Sequence, residues 1–186
     1  MKKNEIEIKI ELTQKEFKKI MPDFDDAVFE KTFGYFKEDF SNIQEGIFPR
    51  IKYIIKNNSS EIVLTVKRKI KENANFFERE ETEINIIKDA NIKLEGVREI
   101  FKALQFTKEI IFEKKRKNII KDDIVISLDE LPFGFFIEFE GSPEKIEKYL
   151  KEFNLLDRER LTKAYLGIWE DYKVKLGIND QDCLFK

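Results

Sequence analysis

Apolar and charged residues alternate at the start of the chain. In residues 5–10, isoleucines occupy every second position, and Glu5, Glu7 and Lys9 occupy the positions between them. Because successive side chains of a β-strand point to opposite faces, this run predicts a strand with one apolar face and one charged face. Taken alone, the pattern is typical of a solvated edge of an antiparallel sheet. A different interpretation of this charged face requires that further strands carry matching charges.

The same alternation recurs in β-rich runs along most of the chain. Besides residues 5–12, the predicted strands are residues 28–36, 48–55, 62–69, 77–87, 107–119, 124–128 and 135–140. Clusters of turn-forming residues at 57–60, 121–123 and 132–134 separate several of these runs. We therefore expect eight strands in a mostly antiparallel arrangement.

Two helix starts carry clear capping signals. Thr13 and Glu16 have the spacing of a capping box, and the short apolar stripe that follows them ends at Pro22. Ser142 followed by Pro143 is typical of an N-cap and a first helical position. Both segments are predicted to form helices.

The remaining segments are assigned from their periodicity. Residues 89–104 switch to a helical period, and a last helix is expected over residues 159–175. The polar residues 37–46 are predicted to form a loop. We expect one domain over residues 1–176, followed by a loose tail over residues 177–186.

The composition indicates a folded single domain with an unusual density of charge. The 186 residues are 41% hydrophobic and include 18 Phe, so a substantial core is available. Charged residues make up 39%, against ~25% in typical globular domains. The 35 basic and 37 acidic residues nearly cancel, and a net charge of −2 argues against a nucleic-acid-binding protein, which usually has a strong basic excess.

The chain contains no His and a single Cys. The absence of His excludes Ser-His-Asp and Cys-His triads and His-ligated zinc. A metal held by side chains would rely on oxygen ligands, which suits Mg²⁺ or Mn²⁺. Cys183 has no disulfide partner, which fits a reducing cytoplasm. No apolar run reaches the ~20 residues of a membrane span and no signal-peptide core is seen, so we expect a cytoplasmic protein without membrane association.

One face of the predicted strands carries acids and bases in equal number. The acids are Glu5, Glu7, Glu81, Glu83, Asp129, Glu138 and Glu140, and the bases are Lys9, Arg50, Lys52, Lys67, Arg79, Lys114 and Arg116. On a solvent-exposed face these charges need no further explanation. An eight-stranded sheet tends to close, however, and closure would place the charges in a tunnel. The expected fold is α+β, a closed eight-stranded antiparallel barrel with a charged interior and helices packed outside.

A tunnel lined with both signs of charge suits one kind of ligand. Lys and Arg side chains bind phosphate oxygens, and Arg often does so through two parallel hydrogen bonds. Carboxylates do not bind phosphate directly, but they hold Mg²⁺ or Mn²⁺, which bridges them to the phosphate oxygens. The pattern therefore predicts a small-molecule polyphosphate ligand with a divalent metal.

Six short motifs follow one another along these strands. They are Glu5-Ile6-Glu7-Ile8-Lys9, Arg50-Ile51-Lys52, Leu64-Thr65-Val66-Lys67, Arg79-Glu80-Glu81-Thr82-Glu83, Lys114-Lys115-Arg116, and Leu128-Asp129 with Gly134–Glu140. In this order they resemble the CYTH domain of the triphosphate tunnel metalloenzymes, which is named for class IV adenylyl cyclase and thiamine triphosphatase. The resemblance covers residues 5 to about 170. It implies an antiparallel tunnel that binds triphosphates with Mg²⁺ or Mn²⁺.

The resemblance also implies a role for each charge. The implied metal ligands are Glu5, Glu7, Glu138 and Glu140, with Asp129 nearby. The implied phosphate ligands are Arg50, Lys52, Lys67, Arg79, Lys114 and Arg116. Lys9 would lie beside the reacting phosphoryl group, and Glu81 or Glu83 would orient a nucleophilic water. Lys163 and Tyr165 would cover the tunnel mouth, where Lys163 contacts the substrate.

Three positions depart from the family pattern. Ala164 stands where Ser is common, Lys52 replaces the usual second Arg, and Lys37 follows Tyr35-Phe36 where Asp is frequent. Lys52 keeps the positive charge but lacks the bidentate hydrogen bonding of Arg. The preferred triphosphate is therefore left open.

Three activities fit this set of motifs. A hydrolase would remove the terminal phosphate of tripolyphosphate or of a nucleoside or thiamine triphosphate. A class IV adenylyl cyclase would let the 3′-hydroxyl of ATP attack the α-phosphate and release pyrophosphate. A binding module would hold polyphosphate without turnover, but the complete charge set argues against it.

The N-terminal residues favour hydrolysis. The cyclases carry a His-Phe pair just before the Glu-x-Glu-x-Lys motif, whereas this chain has only residues 1–4 there and no His. General resemblance of residues 94–140 to the cyclase branch partly offsets this difference. The sequence does not indicate the oligomeric state and is compatible with a homodimer.

Overall fold

The computed structural model describes residues 2–56, 59–72, 75–86 and 94–186. The strands are β1 Lys2–Leu12, β2 Val28–Phe36, β3 Ile47–Lys56, β4 Ser59–Glu72, β5 Phe77–Ile86, β6 Lys108–Lys121, β7 Ile124–Leu131 and β8 Gly134–Glu140. The helices are α1 Gln14–Ile20, α2 Ser41–Gln44, α3 Leu94–Ala103, α4 Pro143–Glu152 and α5 Tyr165–Leu176.

The strands form a closed barrel in the order β1-β5-β4-β3-β2-β6-β7-β8. Every neighbouring pair is antiparallel, so the predicted eight-stranded α+β barrel is confirmed. The first half of β1 pairs with β5, where Glu5 lies opposite Arg79, and its second half pairs with β8, where Lys9 lies opposite Glu138. β1 thereby closes the barrel and places its charges beside those of two other strands.

The apolar faces of the strands point outward and are covered by helices. Ile8 and Ile10 of β1 are fully buried in a cluster that also contains Phe17 of α1 and Ile146 and Leu150 of α4. Because this core lies between the barrel wall and the helices, the opposite strand faces are free to carry charge into the interior.

Both predicted helix caps are confirmed. In α1, Thr13 Oγ1 accepts from the backbone N–H of Glu16 at 3.2 Å, and the Glu16 carboxylate accepts from the N–H of Thr13 at 2.7 Å. In α4, Ser142 Oγ accepts from the N–H of Lys145 at 3.4 Å, and Pro143 is the first helical residue.

Two local predictions differ from the structure, and a third falls only partly on described residues. The expected loop over residues 37–46 contains the single-turn helix α2. The last helix begins at Tyr165 and not at residue 159, because Leu161 exchanges two backbone hydrogen bonds of 3.1 and 2.8 Å with Lys9 and so remains extended. The expected helix over 89–104 is seen as α3, and the part of the prediction before Leu94 lies outside the described residues.

The C-terminal residues are not the expected loose tail. Cys183 is 1% exposed, its N–H donates to the carbonyl of Ile111 at 2.9 Å, and its carbonyl accepts from Glu113 at 2.9 Å. This edge of β6 is available because β7 pairs with β6 only from Lys115 onward. Among the described residues, no helix is long and apolar enough to cross a bilayer.

Candidate active site in the barrel interior

The barrel interior collects charged side chains that are almost completely buried. Nine of them are at most 7% exposed: Glu5, Glu7, Lys9, Lys67, Arg79, Glu81, Lys114, Asp129 and Glu138. Charged residues are rarely buried to this extent unless they are paired. These nine were all predicted from the alternation, and the structure brings them together in three linked clusters.

The first cluster is centred on Lys67 of β4. Its Nζ lies 2.7 Å from Glu5 and 2.9 Å from Glu81, and Arg50 lies 3.1 Å from Glu81. Burial, together with the hydrogen bond to Glu81, raises the pKa of Glu5 to about 7. Burial and the nearby Arg79 and Arg50 lower the pKa of Lys67 to about 8. This part of the interior is therefore close to a change of charge at neutral pH.

The second cluster is centred on Glu7 of β1. Its carboxylate contacts both Lys9 and Arg79. Burial raises the pKa of Glu7, but the charges of Arg79 and Lys9 outweigh that effect and hold the pKa well below its usual value. The Lys9 ammonium also lies 3.3 Å from Glu138. Two carboxylates from β1 and β8 thus converge on one cation.

The third cluster joins β6 to β7. Arg116 contacts both oxygens of Asp129, and its guanidinium lies 3.1 Å from Glu138. The hydroxyl of Tyr165 donates to Asp129 at 2.6 Å. Burial raises the pKa of Asp129, but Arg116 and Lys114 outweigh it and lower the pKa, so Asp129 is an anion held between cations.

One residue of the site, Glu30, was missed by sequence reasoning. Glu30 of β2 faces inward and lies 3.3 Å from Lys114. Burial raises its pKa, but Lys114, Arg116 and Lys52 overcome that effect and lower it to about 2. In the sequence, Glu30 could be recognised only by its position on the inward face of β2. No other charged residue lies on that face to form a pattern with it.

The ring of Tyr165, which was expected at the tunnel mouth, lines the cavity in the barrel interior. The Nζ atoms of Lys9 and Lys114 lie 5.3 and 5.5 Å from the centre of its ring. This distance is within the range of cation–π attraction. The first residue of α5 is therefore part of the charged interior.

Four predicted site residues lie at the margin of these clusters or away from them. Lys52 pairs with Glu83 at 2.9 Å, and the Glu83 side chain is 37% exposed. Glu140 is half-buried and lies opposite Glu7 in the strand register. Lys163 does not join the clusters: it pairs with Asp171 at 2.6 Å, and its side chain is 54% exposed.

The clusters surround a cavity of about 80 Å³ whose charged lining is mainly basic. The bases that line it are Lys9, Arg50, Lys52, Lys67, Arg79, Lys114 and Arg116, and the acids are Glu30 and Glu138. Two of these bases, Arg50 and Arg79, have a buried Nε atom without a hydrogen bond, and the Nε of Arg79 lies 3.4 Å from a Glu5 oxygen. Unsatisfied buried donors are costly, so the cavity is suited to a ligand that carries several anionic oxygens.

The oxygen ligands of the barrel interior are chemically suited to a hard divalent cation. The acids of the interior are carboxylates, which Mg²⁺ and Mn²⁺ prefer. Glu7 and Glu138 already converge on the Lys9 ammonium. Within the described ranges, no three carboxylate or thiol side chains are grouped as a ready-made metal site, and several carboxylates instead face basic side chains.

Comparison with known proteins supports the fold. No family model and no curated protein matches the chain. Among solved structures, it is similar to the PH1819 protein of Pyrococcus horikoshii OT3, at 24% identity and a TM-score of 0.69 over 90% of this chain and 99% of that one. A provisionally named adenylate cyclase of Bacillus halodurans is 20% identical, with a TM-score of 0.63 over 90% and 98% of the two chains.

The description of one further solved structure mentions an activity. HpAC1 of Hippeastrum, provisionally named an adenylyl cyclase and described with a dominant triphosphatase activity, is 18% identical, with a TM-score of 0.62 over 90% of this chain and 96% of that one. At these identities the likeness establishes the fold, which is the eight-stranded barrel expected from the CYTH-like motifs.

Proposed function

We propose that the barrel is the active site of a divalent-metal-dependent triphosphatase. Its substrate is tripolyphosphate or a nucleoside or thiamine triphosphate. The observation that carries the proposal is the cavity lined by seven basic side chains, among which Arg50 has a buried Nε donor without a hydrogen-bond partner. A phosphate chain supplies acceptor oxygens to this donor and to the other basic side chains.

The basic side chains are assigned different roles in binding the phosphates. Arg50 and Arg79 offer planar guanidinium groups, which suit bidentate contacts. Lys52, Lys67 and Lys114 act as point charges along the cavity. Lys9, which is held between Glu7 and Glu138, is assigned to the reacting phosphoryl group.

The carboxylates of β1 and β8 are assigned to the metal. Glu5, Glu7, Glu138 and Glu140 would hold Mg²⁺ or Mn²⁺, which when bound neutralises phosphate charge and polarises the phosphoryl group. Asp129 is different, because both of its oxygens contact Arg116 and one accepts from Tyr165. We assign it to positioning these two side chains.

Adenylyl cyclisation is the second candidate. It is favoured by the provisional names of the solved structures from Bacillus halodurans and Hippeastrum. The second of these is described with a dominant triphosphatase activity, and the sequence before Glu5 lacks the His-Phe pair of the cyclases. Hydrolysis is therefore the better-supported reaction.

One assay separates the two reactions. Purified protein is incubated with Mg²⁺ or Mn²⁺ and with tripolyphosphate, thiamine triphosphate or ATP, and the products are identified. Orthophosphate supports the triphosphatase, whereas cyclic AMP with pyrophosphate contradicts it in favour of the cyclase. Glu7→Gln should abolish metal-dependent turnover at an unchanged circular dichroism spectrum, and Glu99→Gln on the exposed face of α3 is the matched control. Full activity of Glu7→Gln would exclude the assigned metal site.

A further inference from the structure

One acid that lines the phosphate-binding cavity has no role in the proposed function. Among the described residues of that lining, the acids are Glu138, which is assigned to the metal, and Glu30 of β2. The Glu30 side chain is 14% exposed, and its carboxylate lies 3.3 Å from the Lys114 ammonium. Arg116 and Lys52, which line the same cavity, also act on Glu30 through their positive charges. Glu30 is therefore an acid placed among bases that are assigned to phosphate.

Glu30 lies toward one end of the tunnel. At the other end a larger space of about 790 Å³ adjoins the cavity, and Phe36, the last residue of β2, lines that space. Lys67 and Arg79 line both spaces, so they are the bases at the Phe36 end. Glu30 precedes Phe36 by six residues on the same strand, which corresponds to about 20 Å along β2. We call the part of the tunnel around Glu30 and Lys114 the Glu30 end.

The strand register orders the charges at the Glu30 end. Lys114 of β6 is paired directly with Glu30, and the next inward pair toward the start of β2 is Arg116 with Val28. Side chains of paired residues on neighbouring strands lie side by side on the same face of the sheet. A phosphate chain that enters from the Phe36 end and follows the bases therefore reaches Glu30 before it reaches Arg116.

A phosphate group beside Glu30 would meet a like charge. Burial raises the pKa of Glu30, but Lys114, Arg116 and Lys52 outweigh that effect and lower it to about 2, so the side chain is anionic at neutral pH. A phosphate oxygen at this position would be repelled by the carboxylate and would compete with it for Lys114. Unfavourable charge contacts of this kind are a common means of rejecting the wrong ligand.

We propose that Glu30 is a specificity-determining residue that stops the phosphate chain of the substrate and so limits the chain length that the tunnel accepts. This inference rests on the proposed function and narrows its substrate class. Chains of three phosphates, with or without an organic group, fit the bases that precede Glu30. A fourth phosphate on the same path meets the carboxylate.

The test is the binding of linear polyphosphates of different length, measured by calorimetric titration in EDTA so that no metal-dependent turnover occurs. Glu30→Gln should tighten the binding of tetrapolyphosphate about tenfold, the order expected when one like-charge contact is removed from a partly solvated site. The binding of tripolyphosphate should change by less than about twofold, because its phosphates stop before Glu30. An equal change for both ligands, or no change for tetrapolyphosphate, overturns the inference.

Two matched variants control for the substitution itself. Glu30→Asp keeps the charge and should retain the wild-type affinities for both chains. Glu99→Gln removes a charge from an exposed side chain of α3, outside the barrel, and should also behave as the wild type. Gain of tetrapolyphosphate binding in Glu30→Asp would show that side-chain length and not charge sets the limit, which contradicts the inference.

The wild-type protein provides a test that needs no variant. Tetrapolyphosphate carries more charge than tripolyphosphate, so on a simple basic track it should bind more tightly. If Glu30 stops the chain, the wild-type protein should bind tetrapolyphosphate no more tightly than tripolyphosphate. A wild-type preference for tetrapolyphosphate of about tenfold or more overturns the inference.

Turnover measurements separate this inference from the proposed function. A wild-type protein that discriminates between the two chains in EDTA, but releases no orthophosphate from any triphosphate with Mg²⁺ or Mn²⁺, contradicts the triphosphatase and supports the role of Glu30. A wild-type protein that hydrolyses triphosphates, but whose Glu30→Gln variant gains nothing on tetrapolyphosphate, contradicts the role of Glu30 alone.

Discussion

The hydroxyl of Tyr165 donates a 2.6 Å hydrogen bond to the carboxylate of Asp129. Tyr165 is the first residue of α5, and Asp129 is a completely buried acid on β7. The same carboxylate also pairs with Arg116, a base that lines the phosphate-binding cavity. Through Asp129, this bond connects the first residue of α5 to Arg116 in the barrel interior.

Tyr165→Phe should therefore destabilise the fold and disturb the site. The substitution keeps the ring contacts with Phe136 but leaves Asp129 with one donor fewer. We expect the free energy of unfolding to fall by ~1–2 kcal/mol, which urea denaturation measures. Tyr53→Phe, which removes a hydroxyl from the outer face of β3, is the control. Equal stability of both variants would show that the Asp129 bond contributes nothing.

The raised pKa of Glu5 predicts that the stability of the folded protein depends on pH. Its folded-state pKa is raised from 4.5 to about 7 by burial and by its hydrogen bond to Glu81, while Lys67 opposes the shift. A raised pKa means that the folded protein binds the proton more tightly than the unfolded chain does. The contribution of Glu5 is therefore fully present below pH 4.5 and is lost as the pH rises through about 7.

Glu5→Gln removes this titration. The difference in Tm between the variant and the wild-type protein should increase in favour of Glu5→Gln between pH 5 and pH 8, since the buried glutamine does not ionise. Comparing the two proteins at each pH cancels the titration of the groups that do not interact with Glu5. Thermal unfolding monitored by circular dichroism provides the measurement, and a constant difference across this range would contradict the raised pKa.

The sequence predicted the features that follow from the alternation of side chains along a strand. It predicted few of the features that depend on contacts between residues far apart in the chain. The inward face of β1 follows from residues 5–9 alone, and the same local rule located Lys67 and Glu138. Glu30 was not predicted as a site residue because a single charge on a strand face does not form a pattern. The start of α5 was misplaced because the backbone of Leu161 is held by Lys9, far away in the sequence. The strand order, and hence the partners of each charge, also required the structure.

The docked C-terminus gives a test of one such distant contact. Cys183 is buried in a cluster with Phe112 and Trp169, and burial raises the pKa of its thiol to about 12. Cys183→Ser places a hydroxyl among apolar side chains, whereas Cys183→Ala only removes volume. The serine variant should be less stable than the alanine variant by ~1–2 kcal/mol, as followed by Trp169 fluorescence during urea unfolding. Equal stabilities would mean that the tail is solvated.

Glu81 and Glu83, the two glutamates of β5 predicted to belong to the site, should differ in their kinetic effect. Glu81 is buried against Lys67 and Arg50, so Glu81→Gln removes the charge that orients two phosphate ligands and should mainly raise KM. Glu83 is more exposed and pairs with Lys52, which leaves it better placed to accept a proton from an attacking water.

Glu83→Gln should therefore lower kcat for triphosphate hydrolysis by about 10²-fold with little change in KM, the usual effect of losing a general base. Steady-state kinetics of both variants at saturating Mg²⁺ provide the comparison, with Glu99→Gln as the charge-matched control outside the barrel. A large loss of kcat in Glu81→Gln together with a nearly normal Glu83→Gln would assign the water to Glu81. Its pairing with Lys67 would then have to open when the substrate binds, because a carboxylate already neutralised by two cations is a poor proton acceptor.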